Sequence, residues 1–100
     1  MGHLVRVFRA VTKPGKEEAF RSFFTNDAVS IVRGFDGLVS VEVGLPTEHS
    51  PREFLMITKW TTVEALKAFA GESWREPVVD PVEAPLLDEV HAYHYWEERV

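Results

Sequence analysis

The chain has 100 residues, 45% of them apolar and 27% charged, with 16 acids against 11 bases and a net charge of −5. That length suits a single domain with a thin core, and the composition is that of an ordinary globular protein rather than a disordered one. The acidic balance, with no local basic cluster, speaks against nucleic acid. The absence of cysteine excludes disulfides, thiolate zinc sites and a thiol nucleophile.

No apolar run approaches the roughly 20 residues that cross a bilayer. Met1-Gly2-His3 leads directly into an alternating pattern with no secretory signal, and Arg6 stands where myristoylation wants Ser or Thr. A cytoplasmic location is expected.

Residues 3 to 12 are rich in β-branched and apolar types and predict a strand. Val5, Val7 and Val11 fall on one face and Leu4, Phe8 and Ala10 on the other, so the strand is expected to be central and covered on both sides. Pro14-Gly15 makes the turn. Residues 16 to 33 predict a helix whose stripe is Phe20, Phe23, Phe24, Ala28, Ile31 and Val32, loosened in the middle by Asn26-Asp27. Gly34 is expected to end it in a left-handed conformation.

Gly37 to Gly44 predicts a second strand, with Val39, Val41 and Val43 alternating with Ser40 and Glu42. Leu45 to Glu53 reads as a hairpin loop and Phe54 to Trp60 as the third strand. Thr61 through Glu64 fits a capping box opening a helix over 62–70, which packs Leu66 and Phe69 and stops at Gly71. Pro77, Pro81 and Pro85 forbid a long helix over 72–85, leaving a short turn around 73–79 and irregular chain. Leu86 to Trp96 is the last strand.

The order β-α-β-β-α-β is the ferredoxin-like pattern, an α+β fold with a four-stranded antiparallel sheet and both helices on one face. The other face, expected to carry Leu4, Phe8, Leu55 and Ile57, needs a partner, most simply a second copy related by a two-fold axis.

Three segments carry a family resemblance. They are the Thr12-Lys13-Pro14-Gly15 turn into an aromatic-rich helix, Gly34-Phe35-Asp36-Gly37 before the second strand, and Thr58-Lys59-Trp60-Thr61 followed by Glu64-Ala65-Leu66. In order and spacing the chain resembles the antibiotic biosynthesis monooxygenase domains of the dimeric α+β barrel superfamily, over about residues 4 to 96. The resemblance implies a homodimer with facing sheets and a ligand cavity in each subunit between helices and sheet. Function varies within that family. Some members oxidise anthrones or quinols with oxygen and no cofactor, others degrade haem, and others have no known activity. The haem degraders share an Asn on the first strand, a Trp ending the third and a His after the second helix. Trp60 matches the Trp, but Val7 and the region of Val78 stand at the other two positions. The resemblance therefore implies neither haem nor any other cofactor.

Cofactor-free oxygenation needs an electron-rich aromatic that can lose a proton, a dry apolar cavity, a proton acceptor and a donor for the developing oxyanion. Trp60, by resemblance, would wall the cavity and bind substrate; the alternative is a core tryptophan anchoring helix to sheet. Trp74 and Arg75 would rim the cavity, with either donating to a phenolate oxygen; the alternatives are a lid or dimer contact for Trp74 and an ion pair to Glu72 or Glu76 for Arg75.

His91 or His94 would serve as the base. Three apart on a strand, they point to opposite faces and cannot share a metal ion, so no metal site is expected. His91 shares a face with Tyr93 and Tyr95, His94 with Val90, Ala92 and Trp96. His49 reads as solvated, and His3 carries little information. No Gly-x-Ser-x-Gly elbow or phosphate loop is present, and the acid pairs Glu17-Glu18 and Glu97-Glu98 read as solvated rather than as a glycosidase dyad. The expected activity is cofactor-independent monooxygenation of a small quinol or polycyclic aromatic. The rival is a non-catalytic ligand-binding or stress-related dimer.

Overall fold

The computed structural model describes residues 2–100. Four strands, β1 (Leu4–Thr12), β2 (Leu38–Gly44), β3 (Glu53–Trp60) and β4 (Leu87–Trp96), form one antiparallel sheet in the order β2-β3-β1-β4. A first helical rod is built from α1 (Glu17–Ser22), a π-helical stretch (Phe23–Ala28) and α2 (Val29–Arg33). The second helix is α3 (Val63–Ala70). Residues 71–86 then cross the sheet as an irregular strap ending in a 3-10 turn, Ala84–Leu86. The fold is the α+β ferredoxin-like arrangement expected from the element order. Among the described residues no helix is long and apolar enough to cross a membrane.

β1 is central, but the faces are assigned differently from the sequence expectation. Leu4, Arg6, Phe8, Ala10 and Thr12 are buried, and their neighbours Val5, Val7, Arg9 and Val11 are half-buried on the opposite face. Directly paired residues share a face, and the register pairs Leu4 with Trp60, Phe8 with Met56 and Val7 with Ile57. Leu4 and Phe8 therefore lie beneath the helices, where Phe8 and Phe24 are 6.0 Å apart between ring centroids. Leu55 and Ile57 do lie on the open face, together with Val5, Val7, Tyr93 and Tyr95. A period of two decides which residues share a face; it does not say which face the helices cover.

The rod holds its aromatic stripe through the π-helical stretch. The Thr25 hydroxyl donates to the Arg21 carbonyl at 2.8 Å and the Asn26 side-chain amide to the Ser22 carbonyl at 2.9 Å. Side chains that bond the preceding turn satisfy carbonyls displaced from the i−4 ladder, which is how the loosening predicted at Asn26-Asp27 is accommodated. Phe20 stacks on Phe24 at 4.9 Å and meets Phe54 edge-on at 4.9 Å. Each of these fully buried rings contributes on the order of 1.5–3 kcal/mol by leaving water.

Three local expectations change. Gly34 has φ −78°, and the left-handed residue is Gly37 at φ 86°, where a Cβ would stand 2.5 Å from the Ala65 Cβ. That glycine lets the chain pass tightly beneath α3. A register shift between Leu38 and Ser40 turns Val39 outward, so Leu38, Val41 and Val43 pack on the core. The helix cap is Thr62, whose hydroxyl accepts from Ala65 N–H at 3.0 Å, while Thr61 N–H donates to the Gly37 carbonyl. Gly71, at φ 82°, ends α3 as expected.

Candidate functional site

Between the rod, the sheet and the strap lies a cavity of about 120 Å³. Phe8, Met56 and Thr58 floor it; Phe23, Phe24, Ala28, Ile31 and Val32 form one wall and Phe69 another; Val78, Asp80 and Glu83 close it from the strap. Arg6 is the cation at its edge.

Arg6 is 3% exposed, and its position follows from strand alternation, which turns it inward with Leu4 and Phe8. Nη1 donates to the Trp74 carbonyl at 2.5 Å and to His94 Nε2 at 2.9 Å; Nη2 donates to the Glu76 carbonyl at 3.0 Å. These bonds clip the strap to β1. They use three of the five guanidinium N–H groups. Among the described residues Arg6 forms no ion pair with a carboxylate. Burial lowers its pKa to about 10, which leaves it charged at neutral pH.

Glu83 is 5% exposed. Asp80 N–H donates to its Oε2 at a long 3.4 Å, and Oε1 accepts no hydrogen bond among the described residues. Burial pushes its carboxyl up to about 7; the Asp80 N–H pulls the other way and the Asp80 charge adds to the rise. The Asp80 carboxylate itself accepts from Val82 N–H at 2.8 Å.

The residues singled out from sequence are dispersed by the fold. Trp60 is fully buried, its indole N–H donating to Thr58 Oγ1 at 2.9 Å and its ring stacked on Phe69 at 5.7 Å. It stands behind the cavity's Thr58 and Phe69 rather than on its wall, and anchors α3 to the sheet. Trp74, Arg75 and His94 come together at an open depression beside β4, with Arg75 lying 4.6 Å over the Trp74 ring and His94 edge-on to it at 5.0 Å. Arg75 makes no ion pair with Glu72 or Glu76 among the described residues.

A guanidinium can only donate, so His94 Nε2 is the acceptor and the ring is the neutral Nδ1–H tautomer. Burial, then Arg6 and Arg75, lower the His94 pKa and hold it neutral. Its lone pair is committed to Arg6. His91 lies on the open face, 3.1 Å from Glu89 and stacked near Tyr93.

The sequence reading did not single out Arg6, Asp80 or Glu83. Their signals were present: an arginine inside the inward register of a central strand, and an acid set between Pro81 and Pro85 on a segment bound to cross the sheet.

The family described as antibiotic biosynthesis monooxygenase matches residues 1–75. The chain belongs to that family. A search of curated proteins finds no match. Among solved structures, a protein from Shewanella oneidensis is similar with a TM-score of 0.78 at 19% identity, over 96% of this chain and 91% of that one. A protein from Pseudomonas aeruginosa gives 0.76 at 18% identity, over 99% and 97%. A candidate antibiotic biosynthesis monooxygenase from Bordetella bronchiseptica gives 0.74 at 18%, over 100% and 99%. At these identities the likeness to the three structures is one of fold. The matched residues take in β1, the helical rod, β2, β3 and α3, while β4 and the strap residues Val78, Asp80 and Glu83 lie beyond them.

Proposed function

We propose that the chain is a cofactor-independent monooxygenase acting on a small quinol or anthrone-like aromatic held in the cavity between the rod and the sheet. The observation that carries this reading is a buried guanidinium without a carboxylate partner at the edge of a cavity walled by phenylalanines. The walls accept a flat apolar ring, and the two uncommitted N–H groups of Arg6 stabilise an oxygen anion in a poorly solvated site. His94 acts on this site through Arg6, as a positioning group. Deprotonated substrate then reacts with dioxygen: for an anthrone, the CH₂ carbon becomes C=O, one oxygen atom entering the product and the other leaving as water.

We further propose a homodimer that buries the open sheet face. Val5, Val7, Leu55 and Ile57 form its apolar centre, and Tyr93 and Tyr95 are 42% and 56% exposed beside them.

The test is oxygen uptake by purified, metal-free protein with anthrones and reduced quinones. Acceleration over buffer that disappears in Ala28→Phe, which fills the cavity from the rod, supports the reading; no acceleration across the panel removes it. A second reading, a non-catalytic ligand-binding dimer, is favoured by one observation. Trp60 and both histidines are tied into structural contacts. It predicts ligand binding in the cavity with no oxygen uptake.

A further inference from the structure

We propose that Glu83 is the proton-accepting and specificity-determining group of the cavity, so that the site takes a neutral aromatic hydroxyl and discriminates against an aromatic carboxylate. This rests on the reading of the cavity as an aromatic-ligand site.

The charged groups bordering the cavity are Arg6 from β1 and Asp80 and Glu83 from the strap. The rod contributes apolar side chains only, α3 contributes Phe69, and β3 contributes Met56 and the Thr58 hydroxyl, which already accepts from Trp60. His94 stands behind Arg6 and is neutral. Two acids thus oppose one cation. Each carboxylate has one oxygen bonded, Asp80 Oδ1 by the Val82 N–H and Glu83 Oε2 by the Asp80 N–H, and of the two only Glu83 is buried.

Among the described residues no fully buried side-chain oxygen lacks a partner, so the unbonded Glu83 Oε1 is accessible, and a ligand O–H in the cavity can donate to it. With a pKa of about 7, Glu83 is partly ionised at neutral pH, the range in which a carboxylate both accepts a proton and returns it. In the transfer, the aryl O–H bond breaks, the proton bonds to Glu83 Oε1, and the electron pair stays on the aryl oxygen, where Arg6 offsets its charge. An aryl carboxylate brings a third negative charge and no donor.

The experiment is equilibrium binding of 1-naphthol and 1-naphthoate to the whole chain, between about pH 5.5 and about pH 8.5. Naphthol is expected to tighten by about threefold to tenfold as pH rises through 7, because a hydrogen bond to an ionised acceptor is the stronger one. Naphthoate is expected to weaken over the same range. Glu83→Gln is expected to fold and to flatten both slopes. Saturation with naphthol should lower the Glu83 titration midpoint, followed by carboxyl carbon NMR, an effect that a purely structural carboxylate would not give.

Naphthol binding without a pH slope, a slope that survives in Glu83→Gln, or naphthoate binding tighter than naphthol throughout overturns the proposal alone. Absence of binding by both ligands at every pH overturns it together with the cavity reading. Naphthol binding with the expected slope but no oxygen uptake from any quinol leaves the role of Glu83 standing and removes the oxygenation.

Discussion

Glu83 links folding to pH through the burial of one carboxyl. Its pKa rises on folding from the ordinary 4.5 to about 7, so the native state binds the proton more tightly than the unfolded chain. The stabilisation this gives is fully present below about pH 4.5 and is lost as pH rises through 7. Denaturant unfolding should therefore show the chain less stable at pH 8.5 than at 5.5 by roughly 1–3 kcal/mol from this group. Glu83→Gln should be the more stable protein at the higher pH. An unchanged difference between the two pH values in that variant would place the titrating group elsewhere. Phe24→Ala removes a fully buried ring that touches Phe8, Phe20 and Phe54, and should cost about 3–5 kcal/mol in the same measurement.

At the scale of elements, propensity and periodicity located every strand and both helical elements, because each has enough residues for its period to register. Single-residue chemistry at the ends was less legible. Thr61 and Thr62 are both good caps, and only the three-dimensional path, which commits the Thr61 N–H to the Gly37 carbonyl, assigns the cap to Thr62. Thr62→Ala should accordingly cost about 1 kcal/mol, and Thr61→Ala markedly less, in thermal or denaturant unfolding. The bulge beside Val39 and the left-handed Gly37 are likewise set by packing against β3 and α3, which no local pattern encodes. The strap shows the other limit. Its prolines exclude regular structure, but its course across the sheet is fixed by two carbonyl contacts to Arg6, a residue roughly 70 positions earlier in the chain.

For the whole molecule, the four-stranded sheet roofed by helices on one side was readable from element order, and the candidate site only in part. The cavity between helices and sheet was implied by the family resemblance, and the aromatic stripe of the first helix supplied residues to wall it. The groups that give that cavity its polarity come from a strand register and a strap, and their juxtaposition exists only in the fold. The assignment of faces separates two substitutions. Phe8→Asp places a carboxylate beneath the helices and should unfold the chain, whereas Ile57→Asp lies on the open face and should leave it folded while splitting the proposed dimer. Circular dichroism and light scattering read the two outcomes. A folded Ile57→Asp that keeps the mass of the parent protein would move the dimer contact to another surface.

The proposed ligand site is the cavity between rod, sheet and strap and not the open depression beside β4. Backbone amide NMR of the whole chain, titrated with 1-naphthol, reads this directly. Shift changes are expected to concentrate at Phe24, Ala28, Phe69, Asp80 and Glu83, and to be lost in Ala28→Phe. Changes concentrated instead at Trp74, Tyr93 and Tyr95, and unaffected by Ala28→Phe, would contradict it.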